Sequence, residues 1–529
     1  MLADLKMFGR YARGLARYLR QPLTPDQCRE KILQQLANRE ESFLQILQRG
    51  IYAQPQSPYR KLLENARIAC EDVVQLVRQK GLPSALETIH NAGVYVTLDE
   101  FKCRQPIRRG RLELSVKPSD FDNPLLARHY EARTGATRGA GTRLIIDFDL
   151  LAHEAAYVQH FLKSFDLTHR PIVSWRPVPL ATSGMKLLLR YAKLGKPVAK
   201  WFAQNRLEFT AADWKYFAFT HYTLAASRLC ATPMPYPEFT PTTDSACVAQ
   251  WLAAAKAAGA PAVLDTNASS GVRVCQAAQE HGLDIAGTFL RLGGEPYTPA
   301  KAQIVSAAGC RAACHYSISE IGIVAMACGD PADLDDVHLL EDKVAAIQRP
   351  QTVDRSGAKV QALVYTTLLP SCPKLMLNVE SGDYAISERQ ACGCPFGALG
   401  MTQHLRQIRS YEKLCSEGIT FLGTELLRLV EEVLPACFGG DFTDYQLVET
   451  EEHGLPQVCI LVSPRRGSID ETQLLTTVLQ LLRSYPGGQI MAQQWQEAQT
   501  LRVLRREPYA TGSAKIMPLH ILPGSRVET

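Results

Sequence analysis

Within five residues the chain sets Tyr316, Ser319 and Glu320. An aromatic face can stack on a base, a hydroxyl can donate to a phosphate oxygen, and a carboxylate can hold a hard cation such as magnesium. Together they suit a nucleotide, although a Tyr/Ser/Glu loop without a task has the same composition. Upstream stands Gly293-Gly294-Glu295-Pro296, a tight proline-ended turn whose glycines let backbone pass close to a flat ligand. Residues 131–149, EARTGATRGAGTRLIIDFD, form a Gly/Thr/Arg loop followed by a strand-like apolar run. Backbone N–H groups in such a loop can cradle phosphate; Gly135 loosens it, and Thr134, Thr137 and Arg138 add donors. Asp383 closes a strand-rich passage, where a carboxylate can accept both hydroxyls of a ribose diol. Cys392-Gly-Cys394 is a two-thiolate turn of the kind that grips zinc.

The elements that must position these residues follow from periodicity and punctuation. Residues 299–308 predict a helix after the glycine turn, and 313–320 a short strand running into a loop. Residues 246–259 and 270–282 read as helices, and 261–265 and 285–292 as strands. This alternation predicts an α/β domain with a largely parallel sheet, in which ligands sit beyond the strand ends. Residues 363–368 and 375–379 read as two strands, with a turn closing on Asp383. Residues 1–95 read as helices, opened by a cap-like Thr24-Pro25-Asp26, and show no chemistry. Residues 445–448, 457–462 and 501–504 predict strands beside a helix at 472–484, a smaller α+β unit. The expected organisation is a helical region, 1–95, packed on a large α/β domain, 96–409, with a small α+β domain at 410–529.

A chain of 529 residues is too long for one compact core. Hydrophobic residues at 46%, charged at 21% and a net charge of +5 describe an ordinary globular protein and give no argument for nucleic acid. No apolar run reaches the roughly 18 residues of a membrane span. The first twenty residues interleave Lys6, Arg10, Arg13, Arg17 and Arg20 with apolar residues, unlike the unbroken core of a signal peptide. With fifteen cysteines this predicts reduced thiols and a cytoplasmic protein.

These motifs, in this order, resemble the adenylate-forming superfamily of acyl-CoA synthetases, and within it the phenylacetate–CoA ligase group. There Gly-Glu-Pro is followed by a helix and Tyr-Gly-x-Thr-Glu; here Tyr316-Ser317-Ile318-Ser319-Glu320 stands in that place. Residues 133–138 occupy the place of its triphosphate loop, with Arg138 where a glycine is usual. Arg409 in Ile408-Arg409-Ser410 matches the group's nucleotide-contacting arginine, and Glu412 falls on an acidic hinge position. Lys515, in Thr511-Gly-Ser-Ala-Lys515, matches the catalytic lysine, with Ala514 replacing a glycine. Several of the group's members hold a structural zinc with a cysteine and a histidine after the tyrosine motif and a later Cys-x-Cys. Here those would be Cys328, His338, Cys392 and Cys394, although Cys314, His315, Cys372 and His404 are also available and the thiols could be free.

The resemblance implies a large α/β adenylate-forming domain capped by a small mobile one. Nucleotide contacts would fall to Gly294, Glu295, Pro296, Tyr316, Ser319, Asp383 and Arg409, magnesium to Glu320, and catalysis to Lys515, Glu320 and Arg409. The implied reaction is ATP-dependent activation of a carboxylic acid to an acyl-adenylate, then thioester formation with coenzyme A. Transfer to an amine or a carrier-protein thiol is the alternative, and a non-catalytic adenylate-fold binding protein another. The acid's identity and the oligomeric state are not encoded in these motifs.

Overall fold

A computed structural model describes residues 2–126, 130–133, 143–179, 183–207, 214–352, 359–410, 413–416, 419–422, 429–440, 444–484, 488–509 and 519–521. One sheet of twelve strands organises it. From one edge, Val344–Thr352, Lys359–Thr367, Val379–Arg389, Gln403–Ser410, Val337–Leu339 and Gly322–Ala327 pair antiparallel. Arg311–Ile318, Phe289–Gly293, Val263–Asn267, Ile172–Trp175, Lys200–Ala203 and Pro237–Phe239 then pair parallel to the far edge. Arg311–Ile318 is the seam, parallel to Phe289–Gly293 on one side and antiparallel to Gly322–Ala327 on the other.

The expected parallel arrangement therefore holds for half the sheet. Helices Ala268–Glu280 and Pro299–Ala307 supply the crossovers that parallel neighbours need. Beyond the seam the connections 319–321 and 353–358 are too short for a crossover, so those strands turn back on themselves. A second difference concerns residues 375–379. The strand begins only at Val379 and runs to Arg389, so Asp383 sits inside a strand rather than on a turn. Asn378 adopts a left-handed φ of 50° that breaks the extended backbone before it. Leu375, Met376 and Leu377 are buried apolar residues of an irregular segment, and apolarity alone does not tell such a segment from a strand.

Alternation along the central strands splits the core in two. Val263, Phe289 and Ala313 pack on one face with helices Phe148–Ser164 and Ser183–Lys193. Leu264, Leu290 and Cys314 pack on the other with helices Ser245–Ala257 and Ala268–Glu280. That is the period-two geometry of a sheet covered on both sides. The N-terminal helices cover both faces: Leu15 and Leu19 join the first, Leu62, Val77 and Leu86 the second. Helix Pro25–Ala37 starts at a capping box, in which Thr24 Oγ1 accepts from the Gln27 N–H and Gln27 Oε1 from the Thr24 N–H.

Residues 444–484, 488–509 and 519–521 build a separate four-stranded sheet with its helices, the strands in the order Leu501–Arg505, Leu455–Val462, Tyr445–Glu452, Leu519–Ile521, with its own core around Leu447, Ile460, Val478 and Trp495. It meets the large sheet's helices near Thr298: Lys301 Nζ pairs with Glu451 at 2.8 Å, and the Thr298 hydroxyl donates to the same carboxylate at 2.5 Å. Among the described residues no helix is long and apolar enough to cross a membrane.

Candidate active site and metal centre

A cleft of about 530 Å³ opens over the seam of the sheet. Four separate elements bring polar groups to it. The turn after Phe289–Gly293 contributes Gly294, Glu295 and Pro296; the end of Arg311–Ile318 contributes Tyr316, Ser319 and Glu320; Val379–Arg389 contributes Asp383; and Gln403–Ser410 contributes Arg409. The last two are neighbours because their strands pair with Asp383 opposite Ser410 and Tyr384 opposite Arg409.

The turn depends on its glycines. Gly294 has a φ of 82°, open at low cost only to glycine. A Cβ on Gly293 would lie 2.4 Å from the His315 ring, so only glycine lets the turn fold down beside that histidine. The Glu295 carboxylate faces back into the fold, accepting from the Ser269 hydroxyl at 2.8 Å and the Ser269 N–H at 3.0 Å. It thereby satisfies one backbone N–H in the first turn of helix Ala268–Glu280, whose cap residue Asn267 makes no side-chain cap bond.

Tyr316 and Asp383 are joined directly: the phenol donates to Asp383 Oδ2 at 2.5 Å. Burial, then the Asp383 charge, pushes the phenol well above its ordinary range, so it remains a donor. Asp383 is 7% exposed. Arg409 donates to Asp335 Oδ2 at 3.1 Å and to its neighbour's carbonyl, Ile408 O, at 2.8 Å, which fixes the guanidinium along the cleft wall. Ser319 is exposed at the mouth, and Glu320 forms an ion pair with Lys102. Burial, then Arg291 and Arg176, hold the His315 imidazole well below its ordinary range, so this residue of the cleft floor is neutral.

Three contributors were not visible in the sequence. Lys102 and Asp335 reach the cleft from segments with no motif of their own, and Glu449 reaches it from the small sheet. Each depends on long-range folding that local pattern does not report. Thr134, Gly135, Thr137, Arg138, Glu412 and Lys515 lie outside the described residues, although strands Tyr130–Arg133 and Arg143–Ile146 pair antiparallel on either side of residues 134–142.

Cys328, His338, Cys392 and Cys394 converge at the far side of the sheet, their donor atoms all within 4.8 Å of one another. Cys328 Sγ lies 3.7 Å from Cys392 Sγ, Cys392 Sγ 3.4 Å from Cys394 Sγ, and His338 Nε2 3.1 Å from Cys394 Sγ and 3.4 Å from Cys392 Sγ. Zinc bonds of about 2.3 Å to sulfur and 2.0–2.1 Å to nitrogen give tetrahedron edges of roughly 3.5–3.8 Å, so the donor set fits that ion. The other imidazole nitrogen, His338 Nδ1, lies 2.9 Å from the Met401 carbonyl. Donating there would leave Nε2 as a lone-pair ligand. A hydrogen bond from Cys328 holds the Cys394 thiol well below its ordinary range, against burial that would raise it.

No family model and no characterised protein matches this chain by sequence. Among solved structures it is similar to 2-hydroxyisobutyryl-CoA ligase, in complex with 2-HIB-AMP and CoA in the thioesterification state. That match has a TM-score of 0.56 at 16% identity and covers 95% of this chain and 91% of the ligase. A weaker match, to o-succinylbenzoate CoA synthetase from Bacillus subtilis, has a TM-score of 0.37 at 12% identity over 74% of this chain and 69% of that one. The first match shows that the chain has a CoA ligase's fold.

Proposed function

We propose that this chain is an AMP-forming acid–thiol ligase. A carboxylate oxygen attacks the α-phosphorus of ATP, the bond to the β-phosphate oxygen breaks, and pyrophosphate leaves. A thiol then attacks the acyl carbon and AMP leaves; coenzyme A, which the ligase sharing the fold binds, is the acceptor favoured. The observation that carries this reading is the convergence of Tyr316, Asp383, Arg409 and Glu320, from three strands, on one cleft above the seam.

In this reading Asp383 accepts the ribose hydroxyls, and Tyr316, held by its bond to Asp383, presents its ring to the base. The backbone of Gly294 and Pro296 lies along the base, and Arg409 and Ser319 donate to phosphate or ribose oxygens. Thr134, Gly135, Thr137 and Arg138 close over the triphosphate. Lys515 brings an ammonium to the α-phosphate and the attacking carboxylate, where charge builds in the transition state, and Glu412 is the hinge. Residues 96–409 act as the large domain, 1–95 as its helical cover and 410–529 as the moving cap. Magnesium, held by Glu320, would neutralise phosphate charge; in support, this carboxylate lines the cleft and its present partner there, Lys102, is itself a cation. Zinc, held by Cys328, His338, Cys392 and Cys394, would be structural, since four protein ligands leave no open position. This thiolate cluster, with the motif order, favours the phenylacetate–CoA ligase-like group.

The test is to incubate the protein with ATP, magnesium and a panel of aliphatic, hydroxy and aryl acids, and to follow pyrophosphate release with and without coenzyme A. An acid-dependent burst that becomes steady turnover on adding coenzyme A is expected. No acid-dependent release across the panel, from protein that binds ATP, would return the chain to a nucleotide-binding role.

A further inference from the structure

Lys102 is the one basic side chain that the N-terminal third sends, among the described residues, into the cleft. Its position is built. It follows a single helical turn, Leu98–Phe101, opened by a capping box between Thr97 and Glu100. Arg109 clamps Glu100 with two bonds of 2.7 and 2.9 Å. The same segment is tied to the strand that carries Asp383: the Val96 N–H donates to Asn378 O at 3.0 Å and the Glu380 N–H to Val96 O at 2.9 Å. Leu98 and Phe101 line the cleft beside it. The ammonium ends on Glu320, the carboxylate read above as the cation ligand, with the two side chains 28% and 19% exposed.

We infer that Lys102 is a built-in counter-cation for Glu320. It neutralises this carboxylate while no nucleotide is bound, and swings away from it when the cation enters with ATP. The inference rests on the reading that Glu320 meets the divalent cation. A bare carboxylate facing a triphosphate would repel it, and within a few ångströms in a partly desolvated cleft that repulsion reaches kcal/mol scale. A lysine answers this without blocking the metal. Its single charge yields to a doubly charged ion on a shared oxygen, and its four-carbon stem lets the head swing while the backbone stays fixed. The pair thus keeps this one carboxylate neutral in the empty site and releases a ligand oxygen only when a stronger cation arrives.

The experiment measures binding, using the full chain and α,β-methylene-ATP, an analogue that cannot lose pyrophosphate. Calorimetric titrations are run in magnesium and in EDTA for the parent, Lys102→Met, Lys102→Arg, Glu320→Gln and the Lys102→Met/Glu320→Gln double variant. Lys102→Met is expected to weaken binding in EDTA about tenfold, roughly 1.4 kcal/mol, and to leave binding in magnesium within about twofold. The magnesium dependence therefore grows, Lys102→Arg keeps the parental dependence, and Glu320→Gln added to Lys102→Met removes the growth. If Lys102→Met leaves the dependence unchanged while Glu320→Gln lowers it, Lys102 is an ordinary ion-pair partner and only this inference falls. Equal losses in both buffers would make Lys102 a fixed nucleotide contact and also overturn the exchange. If Glu320→Gln changes nothing, Glu320 does not meet the cation, and that assignment falls together with the inference.

Discussion

Because the Tyr316 phenol donates to Asp383, removing that carboxylate would leave a hydroxyl without its acceptor as well as a ribose without its clasp. Asp383→Ala should weaken ATP binding ten- to a hundredfold, the loss expected for hydrogen bonds to a charged acceptor, about 1.5–3 kcal/mol. Tyr316→Phe, which keeps the ring and the carboxylate, should cost less; calorimetry on both variants checks the order, and equal affinity in Asp383→Ala and the parent would remove the ribose assignment. Residues of this kind are readable in a sequence because the chemistry fits inside a few positions. A glycine turn announces a close approach, and Cys392-Gly-Cys394 announces paired sulfurs. Lys102 was not readable because its partner Glu320 is 218 positions away, and Asp335 because an aspartate before a strand looks like any other turn former.

At the scale of elements, Glu154 fastens helix Phe148–Ser164 to the sheet and to helix Ser183–Lys193. It bonds Lys343 Nζ at 2.8 Å, Arg190 at 2.7 Å and the Ile323 N–H at 2.9 Å. Burial alone would raise its pKa, but Arg190 and Lys343 outweigh burial and bring it from 4.5 to about 2. A carboxylate depressed on folding stabilises above its unfolded value and loses that contribution as pH falls toward the folded one. The stabilisation is thus complete above about 4.5 and fades toward 2. Glu154→Gln should destabilise at neutral pH by about 3–5 kcal/mol, since two cations lose their partner. It should also flatten the acid limb of the melting curve between those pH values, and an unchanged limb would contradict the linkage. The cluster of Cys328, His338, Cys392 and Cys394 joins three elements in the same way. Cys394→Ser should take zinc from near-stoichiometric to near nothing in elemental analysis and lower the melting temperature; a parent protein purified without zinc would end that proposal. The helix and strand pattern of residues 245–320 was readable because each segment keeps one period. Residues 375–378 were misread because a buried irregular segment is as apolar as a strand.

At the scale of the whole molecule, the small sheet rests on helices of the large domain through polar contacts and through the close approach of Gly454 to Ile304 and Val272. Glu451 takes Lys301 and Thr298, and the Gln276 amide donates to the His453 carbonyl at 3.1 Å. An interface of this kind is one the proposed cap can leave, as the role proposed for Lys515 requires. Lys515→Ala should slow acyl-adenylate formation about a hundredfold or more, as loss of one transition-state donor does, and leave thioester formation from supplied acyl-adenylate comparatively intact. Single-turnover assays of the two halves check this, and equal losses in both would point to a hinge or folding defect. The division of the sheet at Arg311–Ile318 carries a further consequence, one that lies in time. On its parallel side the seam pairs with a strand one short helix upstream, and on its antiparallel side with a strand one tight turn downstream. Gln403–Ser410 finds Val337–Leu339 only after all of residues 340–402 has been looped out. Near neighbours close at lower entropic cost than distant ones. The floor of the cleft is thus expected to assemble early, from residues 263–327, and the wall that carries Asp383 and Arg409 to arrive late. Conservative truncations in the floor, such as Leu290→Ala, should slow refolding, while Leu405→Ala in the wall should mainly hasten unfolding.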